Sequence, residues 1–415
     1  MSDHRDGDKS DEASLKRSLS LPLITLYGLG TTVGAGIYVL VGEVAAEAGM
    51  FAPMSFMVAS GIVALTAFSF AELSSRYPKS AGEAVYVNEG FGLPSLAVVI
   101  GFLVVFTGLV SSAAMANGFV GYFNELIALP RWLAIVLIVL VLGLVAAIGI
   151  SQSVTLAAII TVIEVGGLLF VVWVARDALS ALPARIPELI PPADGAVWGV
   201  IVAGSVLAFF AFIGFEDMVN VAEEVKGVRR TLPIAIIITL GITTILYMLV
   251  TVLAVLAMPI DTLSGAEAPL ALLYTQVTGL QPTVISFIAV VAVLNGALIQ
   301  VIMASRVLYG LSREGWLPVV ISRVNPRTQT PVVATMLASM IVLVLALWLP
   351  LITLALTTSM TVLVVYGTVN LALWRIKRRD PSPAGAVTFP LWIPIVGFAA
   401  NAIFIVFQVS RWLAG

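Results

Sequence analysis

The sequence predicts an all-α polytopic membrane protein of about 11 transmembrane helices, and three observations carry that expectation. Charged residues make up 11% of the 415 residues, against about 25% in an ordinary soluble domain. Apolar runs of about 20 residues, the length that crosses the hydrocarbon core at about 1.5 Å per residue, recur from Leu21 almost to the C-terminus. Lysine and arginine collect in alternate connections. Backbone groups in lipid must pair within their own segment, which leaves helices or closed barrels. The runs lack the dyad alternation of barrel strands, so helices are expected.

Taken in order, the spans fall at about 21–42, 50–75, 94–123, 132–150, 153–175, 196–222, 232–257, 282–311, 331–349, 351–374 and 390–412. Residues 1–18 are mixed in charge and almost free of large apolar side chains, which predicts a disordered tail. They lack the basic n-region of a secretory signal, and the first apolar run reads as a mature span. Tyr77–Leu93 is polar and glycine-bearing and reads as a surface loop with a short helix. The connection Arg176–Gly195 holds Pro183, Pro187, Pro191 and Pro192, which is loop chemistry. Only Leu349-Pro350-Leu351 separates the ninth and tenth spans, which predicts a tight helical hairpin.

Orientation follows from the basic residues. With the N-terminus inside, 17 of the 21 fall in cytoplasmic connections, and only Arg131, Arg176, Arg185 and Arg411 fall outside. A missed or invented span would scramble that alternation, so the asymmetry supports an odd count with the C-terminus outside.

Composition also excludes chemistry. There is no cysteine, hence no disulfide, thiolate metal site or cysteine nucleophile, and the one histidine, His4, lies in the polar tail. No span holds a metal-ligand cluster, a GxSxG elbow or an HExxH helix. Gly28-Leu29-Gly30 has the wrong spacing to Gly34 for a dinucleotide fingerprint, and no βαβ unit is possible. Neither an intramembrane enzyme nor a cofactor is expected, and no nucleic-acid partner. A channel or receptor is disfavoured, because no pore-loop signature or sizeable soluble domain is present.

Two spans carry interruptions. Span one reads Gly28-Leu29-Gly30-Thr31-Thr32-Val33-Gly34-Ala35-Gly36-Ile37. Each glycine weakens a helix by about 1 kcal/mol relative to alanine. Close small-xxx-small packing through Gly30 and Gly34 is one reading, and a broken helix whose freed amides and carbonyls bind a ligand is the other. Span six reads Phe209-Phe210-Ala211-Phe212-Ile213-Gly214-Phe215-Glu216-Asp217. A charge at mid-membrane costs at least about 2.5–3.5 kcal/mol and persists only beside a cavity or a partner. Span six starts outside and span one inside, so spans one to five and six to ten read as a 5+5 inverted repeat. The expected organisation is a tail over 1–18, a first repeat over 19–175, a second over 196–374, and a cytoplasmic loop plus the last span over 375–415. Corresponding breaks in two halves point to the central site of a secondary transporter.

Four stretches, GTTVGAGIYVLVG (30–42), AELSSRYPKSAGEAVYV (71–87), FFAFIGFEDMVNVAEEVKGVRRTLPIAI (209–236) and SRVLYGLSREGWLP (305–318), occur in this order. In them the chain resembles the amino acid permeases of the amino acid–polyamine–organocation superfamily, over roughly residues 18–380. The resemblance is specific for the superfamily and poorly specific for substrate, and eleven spans is one fewer than most members have. It implies that a substrate carboxylate meets the backbone amides of Gly34, Ala35 and Gly36, where the second half of span one begins and its unpaired N–H groups favour an anion. It implies that the substrate ammonium meets carbonyls left free at Thr32, Phe210 and Ile213. Phe210 also matches the aromatic residue that closes over substrate in the family; without the motif around it, it would read as a lipid-facing or core side chain.

Several proton-coupled members carry a lysine at the position matched by Glu164, in Thr161-Val162-Ile163-Glu164-Val165-Gly166-Gly167. Glutamate there is a departure that reverses the charge. Three readings stand open: a protonatable carboxylate coupling transport to a proton gradient, a ligand for a sodium ion or a substrate amine, or a structural hydrogen-bond donor between helices. Asn295, ten residues before Ser305, matches the position facing that site, and an amide both donates and accepts. Plain interhelix hydrogen bonding is its other reading. Glu216 holds the family's acidic position after Gly-Phe, and Asp217 beside it, less usual there, would favour an amine-bearing substrate. Glu223 and Glu224 read as a solvated helix end. The expected function is a plasma-membrane secondary transporter of amino acids or small amines, with H+ as the coupling ion and a sodium-coupled or exchange mode as the alternative.

Overall fold

The computed structural model describes residues 17–79, 82–148, 154–313 and 317–414, which leaves His4 and most of the N-terminal tail outside the described residues. Apolar composition and first-turn prolines set the helices. A proline at the start costs nothing, because its missing N–H would be unpaired there anyway. Such prolines open α1 (Leu21–Thr32), α3 (Ala52–Arg76) and α5 (Pro94–Asn124). The first is followed after a two-residue break by α2 (Ala35–Ala48). α4 (Gly82–Phe91) lies between α3 and α5, and α6 (Arg131–Ile148) and α7 (Val154–Ala175) follow.

After a short 3-10 turn come α8 (Leu182–Leu189) and α9 (Gly195–Phe210), the latter capped by the Asp194 side chain on the Ala196 amide. A 3-10 helix, Phe215–Glu224, separates α9 from α10 (Val228–Ala257). Two short helices, α11 (Ile260–Ser264) and α12 (Pro269–Thr278), lead to α13 (Thr283–Arg313). The chain ends in α14 (Val332–Trp348), α15 (Leu351–Arg379) and α16 (Trp392–Ala414). Lys377, Arg378 and Arg379 close α15, where cations suit the negative end of the helix.

Among the described residues, nine helical stretches are long and apolar enough to cross a membrane. That count takes Gly36–Arg76 as one stretch of 41 residues although it holds both α2 and α3, and it leaves Val332–Trp348 as a shorter apolar helix. Length and hydropathy alone therefore do not reproduce the expected eleven.

Three expectations are corrected. The connection at Leu349-Pro350 is as short as expected, but α14 packs on α5, α6 and α13 while α15 packs on α3, α4, α5, α9 and α16, so the two do not form a packed hairpin. The proline-bearing connection is helical over Arg176–Leu189, because Pro183 falls in the first turn of α8, where no N–H is needed. The third concerns α4, which is no surface helix: Tyr86 and Val87 are fully buried, and α15 and α5 cover it.

α1 lies between α7 and α10, and α9 packs on α2 and α3, so both interruptions fall in the middle of the bundle. At one end Leu19 pairs with Glu224 and Lys226 through the backbone. At the same end a fully buried Glu72 binds Arg76 at 2.6 Å and Lys377 at 2.7 Å, while the Phe389 amide donates to its Oε2. One missing partner would strand a buried charge, so this cluster ties α3, α15 and the segment before α16 together.

Candidate functional site

The span-one glycines divide by what surrounds them. A Cβ on Gly28 would press on Met218 and lie 2.8 Å from Thr239 Oγ1, and one on Gly30 would strike Thr161. Gly36 faces the Ala211 backbone, with Ala211 Cβ 2.8 Å from the added carbon. These three are packing glycines that let α1 and α2 approach their neighbours. Gly34 differs: no atom outside its chain neighbours lies within 4 Å of its Cβ position. It caps α2 and, as glycine, brings no side chain to the first amides of that helix. The helix is broken at Val33-Gly34, and close packing falls to Gly28, Gly30 and Gly36 rather than to the expected pair Gly30 and Gly34.

The second break depends on Gly214. Its φ of 123° is a conformation side chains rarely adopt, and a Cβ there would run into the Thr31 carbonyl. Thr31 Oγ1 lies 2.8 Å from the Gly214 carbonyl oxygen and donates to it, joining the two breaks. Tyr247 on α10 joins them again: its hydroxyl lies 2.8 Å from the Thr32 carbonyl and 2.9 Å from that of Ala211. Of the carbonyls expected to be free, Thr32 thus has Tyr247, and Phe210 accepts the Ile213 amide at 3.2 Å. Among the described residues, the Ile213 carbonyl takes no hydrogen bond. Phe210 itself is buried beside the break. Ala35 opens α2, so its backbone sits where the sequence places it.

Glu164 is fully buried on α7. Asn295 Nδ2 on α13 donates to its Oε1 at 3.2 Å, whereas Oε2 has no hydrogen-bond partner among the described residues. Tyr38 on α2 donates to the Glu164 backbone carbonyl at 2.8 Å, and Tyr122 on α5 donates to the Tyr38 carbonyl. The α7 backbone at Glu164 is thereby held against the second half of span one.

Glu216 and Asp217 occupy the first turn of the 3-10 helix, and both are buried. Glu216 Oε2 accepts the Gly214 amide at 2.8 Å and the Tyr366 hydroxyl at 2.7 Å. Gln300 Nε2 donates to Asp217 Oδ2 at 3.2 Å. Rings of Phe70, Phe209 and Phe215 pack on Tyr366 with centroids 5.5–5.8 Å apart, which holds its hydroxyl on Glu216. A narrow cavity opens beside these acids, and Glu83 of α4 lines it too. Burial pushes the Glu83 carboxyl up to about 8; a backbone hydrogen bond opposes the rise and the Glu216 charge adds to it.

Sequence reasoning missed Tyr247, Tyr366, Gln300 and Glu83. Glu83 lies inside the quoted stretch 71–87, but a polar, glycine-bearing segment gives no sign that its short helix is buried. Tyr247 and Gln300 were single polar groups in apolar runs, a signal that went unused.

Paired discontinuous helices meeting at the centre of an all-helical bundle define a membrane transporter. A family model described as amino acid permease matches residues 19–411, and the chain belongs to that family. It is 31% identical over 393 residues to the vacuolar cationic amino acid transporter 4 of Arabidopsis thaliana, covering 88% of this chain and 64% of that one. The chain thus spans just under two thirds of that relative's length. It is 28% identical over 415 residues to the branched-chain amino acid permease BcaP of Bacillus subtilis, covering 93% and 86%. The methylthioribose transporter of the same bacterium is also 28% identical, covering 98% and 92%. In fold it matches the crystal structure of MhsT in complex with L-phenylalanine, at a TM-score of 0.66 and 16% identity over 95% of this chain and 99% of that one. Relatives named as transporters and permeases take the place of the enzyme alternative.

Proposed function

We propose that this protein is a secondary transporter that moves an amino acid or related small amine across the plasma membrane by alternating access, driven by protons. The observation that carries the reading is the meeting of the two breaks: Gly34 with open space beside it at the start of α2, and the Ile213 carbonyl, unengaged among the described residues. An amide-rich helix start suits a carboxylate and a free carbonyl suits an ammonium, so backbone alone recognises a zwitterion. Relatives named for cationic amino acids, branched-chain amino acids and methylthioribose agree with a site that leaves the rest of the ligand to side chains. Thr31 and Tyr247 bridge the breaks, which suits halves that rock against each other around a fixed site. The coupling group is Glu164, with Asn295 as its partner.

The purified protein in liposomes should accumulate labelled amino acid when the outside is acidified, without sodium. A strict sodium requirement would replace the proton reading by a cation bound at Glu164, and uptake of no amino acid or amine would reject the proposal.

The topology belongs to the same proposal: eleven crossings, a 5+5 inverted repeat, N-terminus inside and C-terminus outside. The ion pair of Arg411 with Glu47, at the end of α2 remote from Leu19, supports an odd count. A fluorescent reporter that matures only in the cytoplasm, fused to Gly415, should leave cells dark. Bright cells would refute the eleven-span arrangement.

A further inference from the structure

We propose that the cavity beneath Ile213 receives an alkylammonium or guanidinium group at the end of the substrate's side chain, which makes a cationic amino acid the substrate class. This rests on the transporter reading above. The polar lining is Glu83, Thr107, Glu216, Asp217 and Gln300, with the Tyr366 hydroxyl engaged on Glu216. Three carboxylates share the space, and neither lysine nor arginine lines it. Among the described residues, none of the three is in an ion pair. Gathering three buried acids without a counter-charge is costly unless a cation enters or protons neutralise them.

A second observation is independent of the acids. Thr107 Oγ1 on α5 is buried, lines the same cavity and has no hydrogen-bond partner among the described residues. The Gly214 amide and the Tyr366 hydroxyl meet Oε2 of Glu216, and Gln300 meets Oδ2 of Asp217. An ammonium brings three donors, enough for the Thr107 oxygen and for oxygens of the acids together.

The apolar walls decide between a free inorganic cation and the end of a side chain. Val104, Val362 and Val365 line the cavity, and Ile213 joins it to the break. Methylenes need such walls and a bare ion does not. Asp217 follows the break by one turn, its amide on the Gly214 carbonyl, and shares the cavity lining with Ile213. A lysine-like or arginine-like side chain offers both methylenes for the walls and a cation for the acids. A neutral side chain of equal length would desolvate the acids without pairing them.

The test measures binding of lysine and of norleucine, its equal in length without the ammonium, to the purified full chain. A charge-assisted hydrogen bond is worth about 1.5–3 kcal/mol, so lysine should bind at least about tenfold tighter. Asp217→Asn should bring the ratio close to one, and the milder Thr107→Val should reduce it severalfold, both in protein that elutes as a single folded species. Equal binding of the two ligands by the wild type overturns the inference and leaves the transporter reading standing. An unchanged ratio in folded Asp217→Asn overturns it as well. So does stabilisation by sodium alone with no gain from lysine, which would mark an inorganic cation site. Binding of neither amino acid also overturns the inference, while the liposome uptake assay decides the transporter reading separately.

Discussion

Glu164→Gln is expected to abolish proton-driven accumulation while leaving substrate binding and exchange in part. The substitution keeps the size of the side chain and an acceptor for Asn295, which donates to Oε1 at 3.2 Å. It removes the titration at Oε2, which is buried and has no hydrogen-bond partner among the described residues. Each pH unit across the membrane is worth about 1.4 kcal/mol per proton, or about tenfold in accumulation. In liposomes with a gradient of about two units, the wild type should thus concentrate substrate by up to about a hundredfold, and the variant should only equilibrate it. Unchanged accumulation by Glu164→Gln would reduce the residue to a structural link between α7 and α13.

Gly34→Val should nearly abolish substrate binding in a protein that still folds. Its Cβ meets no atom within 4 Å, so the side chain would enter the space beside the α2 amides rather than the packed core. Losing hydrogen bonds to a charged carboxylate costs about 1.5–3 kcal/mol each, so affinity should fall by about tenfold or more for each amide blocked. Gly36→Val, which from sequence looks equivalent, should behave differently. Its Cβ presses on the Ala211 backbone at the crossing of the two breaks, and such overpacking costs about 1–3 kcal/mol of stability. Binding curves and melting temperatures of the two variants separate these effects. Normal transport by well-folded Gly34→Val would remove the break from the substrate path.

The fold class and both breaks were legible in the chain itself, because they follow from local properties. Helices in lipid must be apolar over a fixed length. A break must free backbone groups, which glycines at 28–36 and the Gly214-Phe215-Glu216-Asp217 run announce. Tertiary structure decided what each of those residues does. Gly28, Gly30 and Gly36 serve packing and Gly34 faces open space, although all four look alike in sequence, because the difference lies in which neighbour arrives from 100 or more positions away. For the same reason the carbonyl of Thr32, free by local reasoning, is engaged by Tyr247 of α10. The third carboxylate, Glu83, reaches the cavity only because α15 and α5 cover α4 and bury it. Periodicity and composition report how a segment meets solvent or lipid; they carry no record of which distant side chain meets it, and that meeting makes the site.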